Sequence, residues 1–254
     1  MMEDARSIVV ISNENELSKL YTQLEPVKLH ENKGLAIKSI FHGTVCNINK
    51  YNNKVHYKLN DETYQTRVIA IPEGNYPDSL SILNEISDIV STLDTEVTHV
   101  KRPRLEITLR ARRNSVKVSA FNIDILVPNL RGTPWELLGI NTNINESNSV
   151  EVDNLDYSHW TMPSFLYVNI VENSYINGKL SRNLSTIPLS LQRGWSYYEF
   201  NNPTYIPIDV KEFSKIVIEI RDMNGNHVCF NSNYRTVVTL HLQTINRESN
   251  TVSN

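Results

Sequence analysis

The chain of 254 residues is poor in glycine, and this shortage argues against several protein classes. It contains 8 glycines, where average usage of about 7% predicts roughly 18. A collagen-like repeat is therefore ruled out. None of the patterns GxxxxGK[ST], GxGxxG and GxSxG occurs, so the usual signatures of nucleotide-binding proteins and of α/β-hydrolases are missing.

Cysteine and long apolar segments are also scarce. The two cysteines, Cys46 and Cys229, lie far apart and form no CxxC pair, which is typical of reduced thiols in a cytosolic or nuclear protein. The longest apolar runs, such as residues 8–11, are far too short to cross a bilayer, and the acidic first residues predict no secretory signal. We therefore expect no membrane association.

The overall composition is that of a folded protein. Hydrophobic residues make up 40% of the chain and charged residues 21%, which excludes an intrinsically disordered protein. The formal net charge is −3, so the molecule as a whole does not attract nucleic acid.

Most segments alternate apolar and polar residues with the period of two that predicts β-strands. The segments RLEITLRA, from Arg104, and KIVIEIR, from Lys215, show it most clearly. Asn224 and Gly225 follow the second segment, and an Asn-Gly pair between strands is a strong hairpin signal.

One segment has helical spacing instead. Apolar residues between Ser79 and Leu93 fall on one face, and Asp78 is placed to cap the first turn. A shorter helix is predicted at Pro134–Leu138, and the polar, acidic segment 141–156 is interpreted as a surface loop. Many strands and one long helix predict an all-β antiparallel sandwich or barrel rather than a doubly wound α/β fold.

The residues show no catalytic signature, and the sequence offers one candidate metal site. His42 and Cys46 would share one strand face, and His227 and Cys229 another, so the four could hold zinc tetrahedrally. Their spacing matches no zinc motif, and buried cysteine usually packs as a small hydrophobe. We therefore expect no metal, no cofactor and no enzymatic activity.

The clearest charge concentration is a basic run between residues 101 and 113. Its members are Lys101, Arg102, Arg104, Arg110, Arg112 and Arg113, with Lys117 beyond. Two interpretations remain open: a solvated strand face, or a contact with phosphates or an acidic neighbour. For an acidic neighbour, the segment Glu146–Asp156 of another copy is the best candidate in this sequence.

Five segments taken in order resemble one known family. They are Leu17–Ile40, Val68–Ile86, WELLGI at Trp135–Ile140, Ser164–Leu189, and VKEFSKIVIEIRDMNGNHVCF at Val210–Phe230. This ordered set is similar to the minor capsid, or penton, proteins of Polinton/Maverick elements, adintoviruses and related virophages. The resemblance extends from about Ser7 to Ile245.

The resemblance implies a single jelly-roll β-sandwich with a helix-containing insertion. Residues 7–71 and 160–245 would form the jelly roll, 72–140 the insertion, 141–159 a linker loop and 246–254 a flexible tail. The implied function is structural: a homopentamer at the five-fold vertices of an icosahedral capsid, in contact with the major capsid protein.

The implied location is the virion, after assembly in the host nucleus or cytoplasm. The basic run would then be an assembly contact or a weak contact with packaged DNA. The alternative is a soluble β-sandwich module that binds carbohydrate or a receptor, for instance a viral gene adopted by a host.

Overall fold

The computed structural model describes residues 6–13, 17–29, 32–59, 65–93, 102–127, 133–172, 174–176, 179–231 and 235–245. Two compact units are present. The first is formed by Met1–Val45 together with Thr161–Asn254, and the second by Cys46–Trp160. The second unit is thus an insertion in the sequence of the first.

The elements are numbered in chain order. The first part of the chain contains β1 (Arg6–Ile11), β2 (Lys19–Lys28), β3 (Lys33–His42), β4 (Lys54–Leu59), β5 (Arg67–Ala70) and α1 (Ser79–Ser91). The middle part contains β6 (Arg104–Arg110), β7 (Ser115–Phe121), β8 (Ile123–Leu126), α2 (Pro134–Leu138) and β9 (Val150–Asp153). The last part contains β10 (Thr161–Val168), β11 (Ser174–Ile176), β12 (Lys179–Ser181), β13 (Asn183–Ser190), β14 (Ser196–Glu199), β15 (Ile206–Pro207), β16 (Glu212–Arg221) and β17 (Val237–Thr244).

The first unit has the strand order of a jelly roll. One sheet runs β1-β17-β3-β14, with β15 also paired to β3, and the other runs β13-β10-β16-β2. All these pairs are antiparallel. The chain therefore folds as nested pairs, β1 with β17, β2 with β16, β3 with β14 and β10 with β13, in two facing sheets. The predicted all-β jelly-roll class is confirmed.

The period-two pattern explains which face of each sheet is buried. On β16, Ile216, Ile218 and Ile220 have no exposed surface, and on β17 Val238 and Leu240 are equally buried. Alternate side chains of a strand point to opposite faces, so these residues form the core between the sheets. The turn after β16 contains Gly225 with φ of +85°, as the Asn-Gly signal predicts.

The second unit contains two three-stranded sheets and both helices. The sheets run β5-β4-β8 and β6-β7-β9. Helix α1 buries Ile82, Leu83, Ile86 and Val90, which lie on one helical face. Helix α2 occupies the predicted residues and ends at Gly139, whose φ is +66°.

The unit boundaries differ from those expected from the sequence. Strands β4 and β5 pair with each other and β4 with β8, so residues 46–71 belong to the insertion. Segment 141–159 is more than a linker, because β9 pairs with β7 and Tyr157 is buried. A period of two identifies a strand but not its partner, so the sequence predicts β4 and β5 as strands without showing that they belong to the insertion. The tail 246–254 lies outside the described residues.

The N-cap of α1 gives a direct test of local stability. The Asp78 carboxylate accepts hydrogen bonds from the Ser81 backbone N–H at 2.7 Å and from the Ser81 hydroxyl at 2.6 Å. We expect Asp78→Ala to lower the free energy of unfolding by about 1 kcal/mol, because the first turn loses its cap. Asp78→Asn retains an accepting oxygen and is the matched control. Equal denaturation midpoints for the two variants would contradict this role.

Candidate assembly surfaces

An apolar row crosses the outer face of the first sheet. Its members, on adjacent strands, are Ile11, Val237, Phe41 and Tyr197, with Trp195 beside them. Ile11 is 48% exposed, Tyr197 53% and Trp195 62%. The Trp195 ring lies 5.5 Å from that of Phe41. Three of the five side chains in this apolar row are aromatic and none is charged. This composition is typical of the centre of a protein interface.

The outer face of the second sheet has a different character. It carries Lys215, Glu219 and Arg221 on β16, and Lys19 opposite Glu219 on β2. The Arg221 guanidinium lies 5.8 Å from the centre of the Tyr167 ring and 2.5 Å from a Glu219 oxygen. Arg221 thus lies over one face of the Tyr167 ring. The contrast singles out the apolar row as the surface suited to protein contact.

The structure places the basic run on the β6–β7 hairpin of the second unit. Arg104 and Arg110 lie on β6, and Arg112 and Arg113 lie in the 3₁₀ turn that follows. Arg102 precedes β6, and its carbonyl accepts a hydrogen bond from the Asn122 side chain. Lys101 lies outside the described residues. The Arg104 guanidinium is 4.8 Å from the Phe121 ring centre.

The acidic segment that the sequence offered as a partner contacts this hairpin within the same chain. Glu151 on β9 accepts a hydrogen bond from Arg110 at 2.7 Å and one from the Ser115 hydroxyl at 2.5 Å. Arg113 lies 4.0 Å from the same carboxylate. The Ser115 hydrogen bond, together with the positive charges of Arg110, Arg113 and Lys117, lowers the pKa of Glu151. The exposed carboxylate thus neutralises part of the hairpin.

Strand register shows that the exposed face around the hairpin is close to neutral. Residues that stand opposite one another on β6, β7 and β9 share that face. Its charged members are Arg104, Glu106, Arg110, Lys117, Glu151 and Asp153. Positive and negative charges are equal in number there. Arg102 and Arg112 form no ion pair with any described residue, so both cations are available to a partner.

The four residues of the zinc hypothesis divide between the two units. His42, His227 and Cys229 belong to the first and Cys46 to the second. Among the described residues, no group of three or more His, Cys, Asp or Glu side chains is arranged to hold a metal ion.

His42 is instead a buried core residue. Its Nδ1 donates a hydrogen bond to the Gly43 carbonyl at 2.7 Å, and its ring is stacked on Tyr198 and contacts Phe230. Its Nε2 has no hydrogen-bond partner among the described residues. Burial lowers the pKa of His42 below 6.5, and the hydrogen bond to Gly43 opposes that shift.

A pH dependence of stability follows from the lowered pKa of His42. The unfolded chain binds a proton more readily at this site, so stability falls as the pH drops from 6.5 to the folded-state pKa. We expect His42→Phe to reduce that loss, measured as the difference in melting temperature between pH 7.5 and pH 5.5. The pKa of Glu151 is lowered below 4.5, so this carboxylate does not contribute in this window. Identical pH profiles for the two proteins would contradict the assignment.

The three tryptophans occupy different environments. Trp135 is fully buried, whereas Trp160 is 45% and Trp195 62% exposed. Trp160 packs edge-on against Tyr157. Within the described residues, no helix has the length and apolar character needed to span a membrane.

Comparisons with known proteins give matches among solved structures. No family model and no curated protein matches the chain. Among solved structures, the chain is similar to the crystal structure of the mavirus penton protein, with a TM-score of 0.49 and 10% sequence identity. The alignment covers 95% of this chain and 99% of that one. At this score and identity the likeness assigns no role to the chain.

Proposed function

We propose that the chain is a structural capsid protein, a penton subunit at the five-fold vertices of an icosahedral virion. The observation that carries this proposal is the strand order β1-β17-β3-β14 facing β13-β10-β16-β2, a jelly roll interrupted between β3 and β10 by a helix-containing insertion. Jelly rolls form many viral capsid proteins, although lectins and cupins share them. The ordered resemblance to the Polinton, adintovirus and virophage proteins selects the capsid role.

The proposed partners are four further copies of the chain and the major capsid protein, and the role is structural rather than catalytic. A five-fold ring uses two different patches of each subunit, which must fit each other. We assign the apolar row to one such contact, because Trp and Tyr are enriched among the few interface residues that carry most of the binding energy. The proposed location is the virion, after assembly in the host nucleus or cytoplasm.

The basic hairpin is proposed as a secondary contact. Arg102 and Arg112 retain unpaired charges, and an acidic surface of a neighbouring capsid subunit is the favoured partner. The Arg110–Glu151 ion pair already neutralises part of the charge of the hairpin. The remaining exposed charges would therefore influence orientation and association rate more than affinity. Packaged DNA is the other partner considered, and such binding would weaken steeply with salt.

The contact assigned to the apolar row is tested by Trp195→Ser combined with Tyr197→Ser. Both side chains are more than half exposed, so the melting temperature should change little. We expect incorporation into assemblies with the major capsid protein to fall at least tenfold, as scored by co-sedimentation. Tyr21→Ser, on the second sheet, is the matched control because Tyr21 is 48% exposed. Equal incorporation of the wild type, the double variant and Tyr21→Ser would show that the apolar row is not part of the assembly contact.

A further inference from the structure

The two edge strands of the sheet β6-β7-β9, in the second unit, are covered to different extents. On β6, the Leu105 carbonyl points away from β7 and accepts a hydrogen bond from the Ser87 hydroxyl of α1 at 3.4 Å. Helix α1 therefore covers part of the β6 edge. Strand β9, at the opposite edge, pairs with β7 and with no other strand among the described residues.

The backbone of β9 has hydrogen-bonding groups that point away from β7. The Asn154 N–H donates to the Asn114 carbonyl at 2.8 Å, which fixes the alternation of the β7–β9 ladder. In an antiparallel pair every second residue points its backbone groups outward, and on β9 these residues are Glu151 and Asp153. The Asp153 carbonyl accepts from the Leu155 N–H at 3.0 Å. No described residue bonds the Asp153 N–H or either backbone group of Glu151.

A groove follows this free edge. It has a volume of about 460 Å³ and is lined by residues 151–153 and 155, by residues 136–139 of α2 and its cap, and by Trp160. Val152 and Leu138 are buried, whereas Trp160 is 45% exposed. An extended segment lying in the groove can therefore pair with the β9 backbone and bury apolar side chains at the same time.

The charges of the groove select the kind of segment that fits. Its charged residues are Glu136, Glu151 and Asp153, and no basic residue of the described chain lines it. Glu151 is paired with Arg110, but the Asp153 carboxylate forms no ion pair with a described residue. A second β9 would place carboxylates opposite one another, which is destabilising, whereas a segment with lysine or arginine would meet opposite charge. Charge complementarity thus favours a basic segment over a second copy of β9.

We propose that β9 is a docking edge for an extended segment of a partner protein with the pattern basic–apolar–basic. The segment pairs antiparallel, because that continues the pattern of the sheet. Its basic residues face Asp153 and Glu151, and its apolar residue faces Val152. Main-chain hydrogen bonds provide affinity, and the alternate side chains provide specificity. The contact involves neither the apolar row nor a ring, so this inference goes beyond the proposed function and does not depend on it.

The main test is an NMR titration of the purified protein with the peptide acetyl-Ser-Thr-Lys-Val-Lys-Thr-Ser-amide. We expect saturable shifts of the Glu151 and Asp153 amide signals and of the Trp160 indole signal, since these groups lie at the edge and in the groove. A peptide that gives no saturable shifts at these positions overturns the proposal.

Two methylated peptides test the strand pairing itself. In the antiparallel register, the N–H of the second lysine donates to the Glu151 carbonyl, whereas the N–H of the valine points away from β9. N-Methylation of that lysine should therefore weaken binding at least tenfold, and N-methylation of the valine should leave it nearly unchanged. Both peptides retain the same charges. Equal affinities for the two would contradict the pairing.

A charge reversal tests the selection for basic residues. Asp153→Lys should weaken binding of the parent peptide at least tenfold, because a lysine of the peptide then meets a like charge. Asp88→Lys, at an exposed position of α1, makes the same change in net charge and is the matched control. Equal affinities of the two variants would show that only the overall charge matters, which contradicts a docking edge.

These measurements use the purified chain alone, so their outcome is separate from that of the proposed function. A chain that forms rings but does not bind the peptide overturns the docking edge and leaves the capsid role intact. A chain that binds the peptide through β9 but never forms rings supports the docking edge and counts against the vertex role.

Discussion

Replacing Ile86 with Asp is expected to lower the free energy of unfolding of the second unit by about 3–5 kcal/mol. Ile86 has no exposed surface and lies in the middle of the buried face of α1. The substitution removes a buried apolar side chain and places a carboxylate among apolar residues that cannot pair with its charge. Guanidinium denaturation followed by circular dichroism measures the loss.

Asn84→Asp is the control for Ile86→Asp. Asn84 lies on the same helix but on its exposed side, so the same charge is added without burial. We expect that variant to remain within about 0.5 kcal/mol of wild type. An unchanged melting temperature for Ile86→Asp would show that α1 does not belong to the core.

Replacing Trp135 with Ala should have a similar effect, a loss of about 3–5 kcal/mol. Trp135 is the largest fully buried side chain among the described residues and lies on α2. Its indole N–H has no partner among the described residues. Trp135→Phe therefore should cost much less than Trp135→Ala, since it removes an unsatisfied donor and retains most of the apolar volume.

Two comparisons decide whether this assignment of Trp135 holds. Trp195→Ala, at a site 62% exposed, should change the melting temperature little. If Trp135→Phe and Trp135→Ala are equally destabilising, the indole N–H has a partner that the structure does not show, and the explanation is wrong.

The local elements of this protein could be predicted from the sequence because their signals are local. The apolar spacing from Ser79 and the cap at Asp78 identify α1, and Pro134 followed by Gly139 delimits α2. The turn at Asn224–Gly225 could be predicted because a tight hairpin turn needs a residue with positive φ, which Gly225 provides. The class of fold followed from the number of strands relative to helices.

Strand partners and surfaces could not be predicted in the same way. Nothing in the segment of β4 indicates that it pairs with β8, some 65 residues later, rather than with a jelly-roll strand. The apolar row combines residues from four strands and becomes visible only when the register is known. The sequence predicts Glu146–Asp156 of another copy as an acidic partner for the arginines, but it could not show that Glu151 makes this contact within one chain.

The central claim is that this jelly roll is the subunit of a five-fold vertex. The most direct measurement is the mass of the purified protein by size exclusion with light scattering, alone and with the major capsid protein. The proposal predicts an assembly of five chains, or a whole-number multiple of five, each with a mass of 29.2 kDa. A protein that stays monomeric or dimeric under both conditions, and that binds glycans, would contradict the account and favour the soluble binding module.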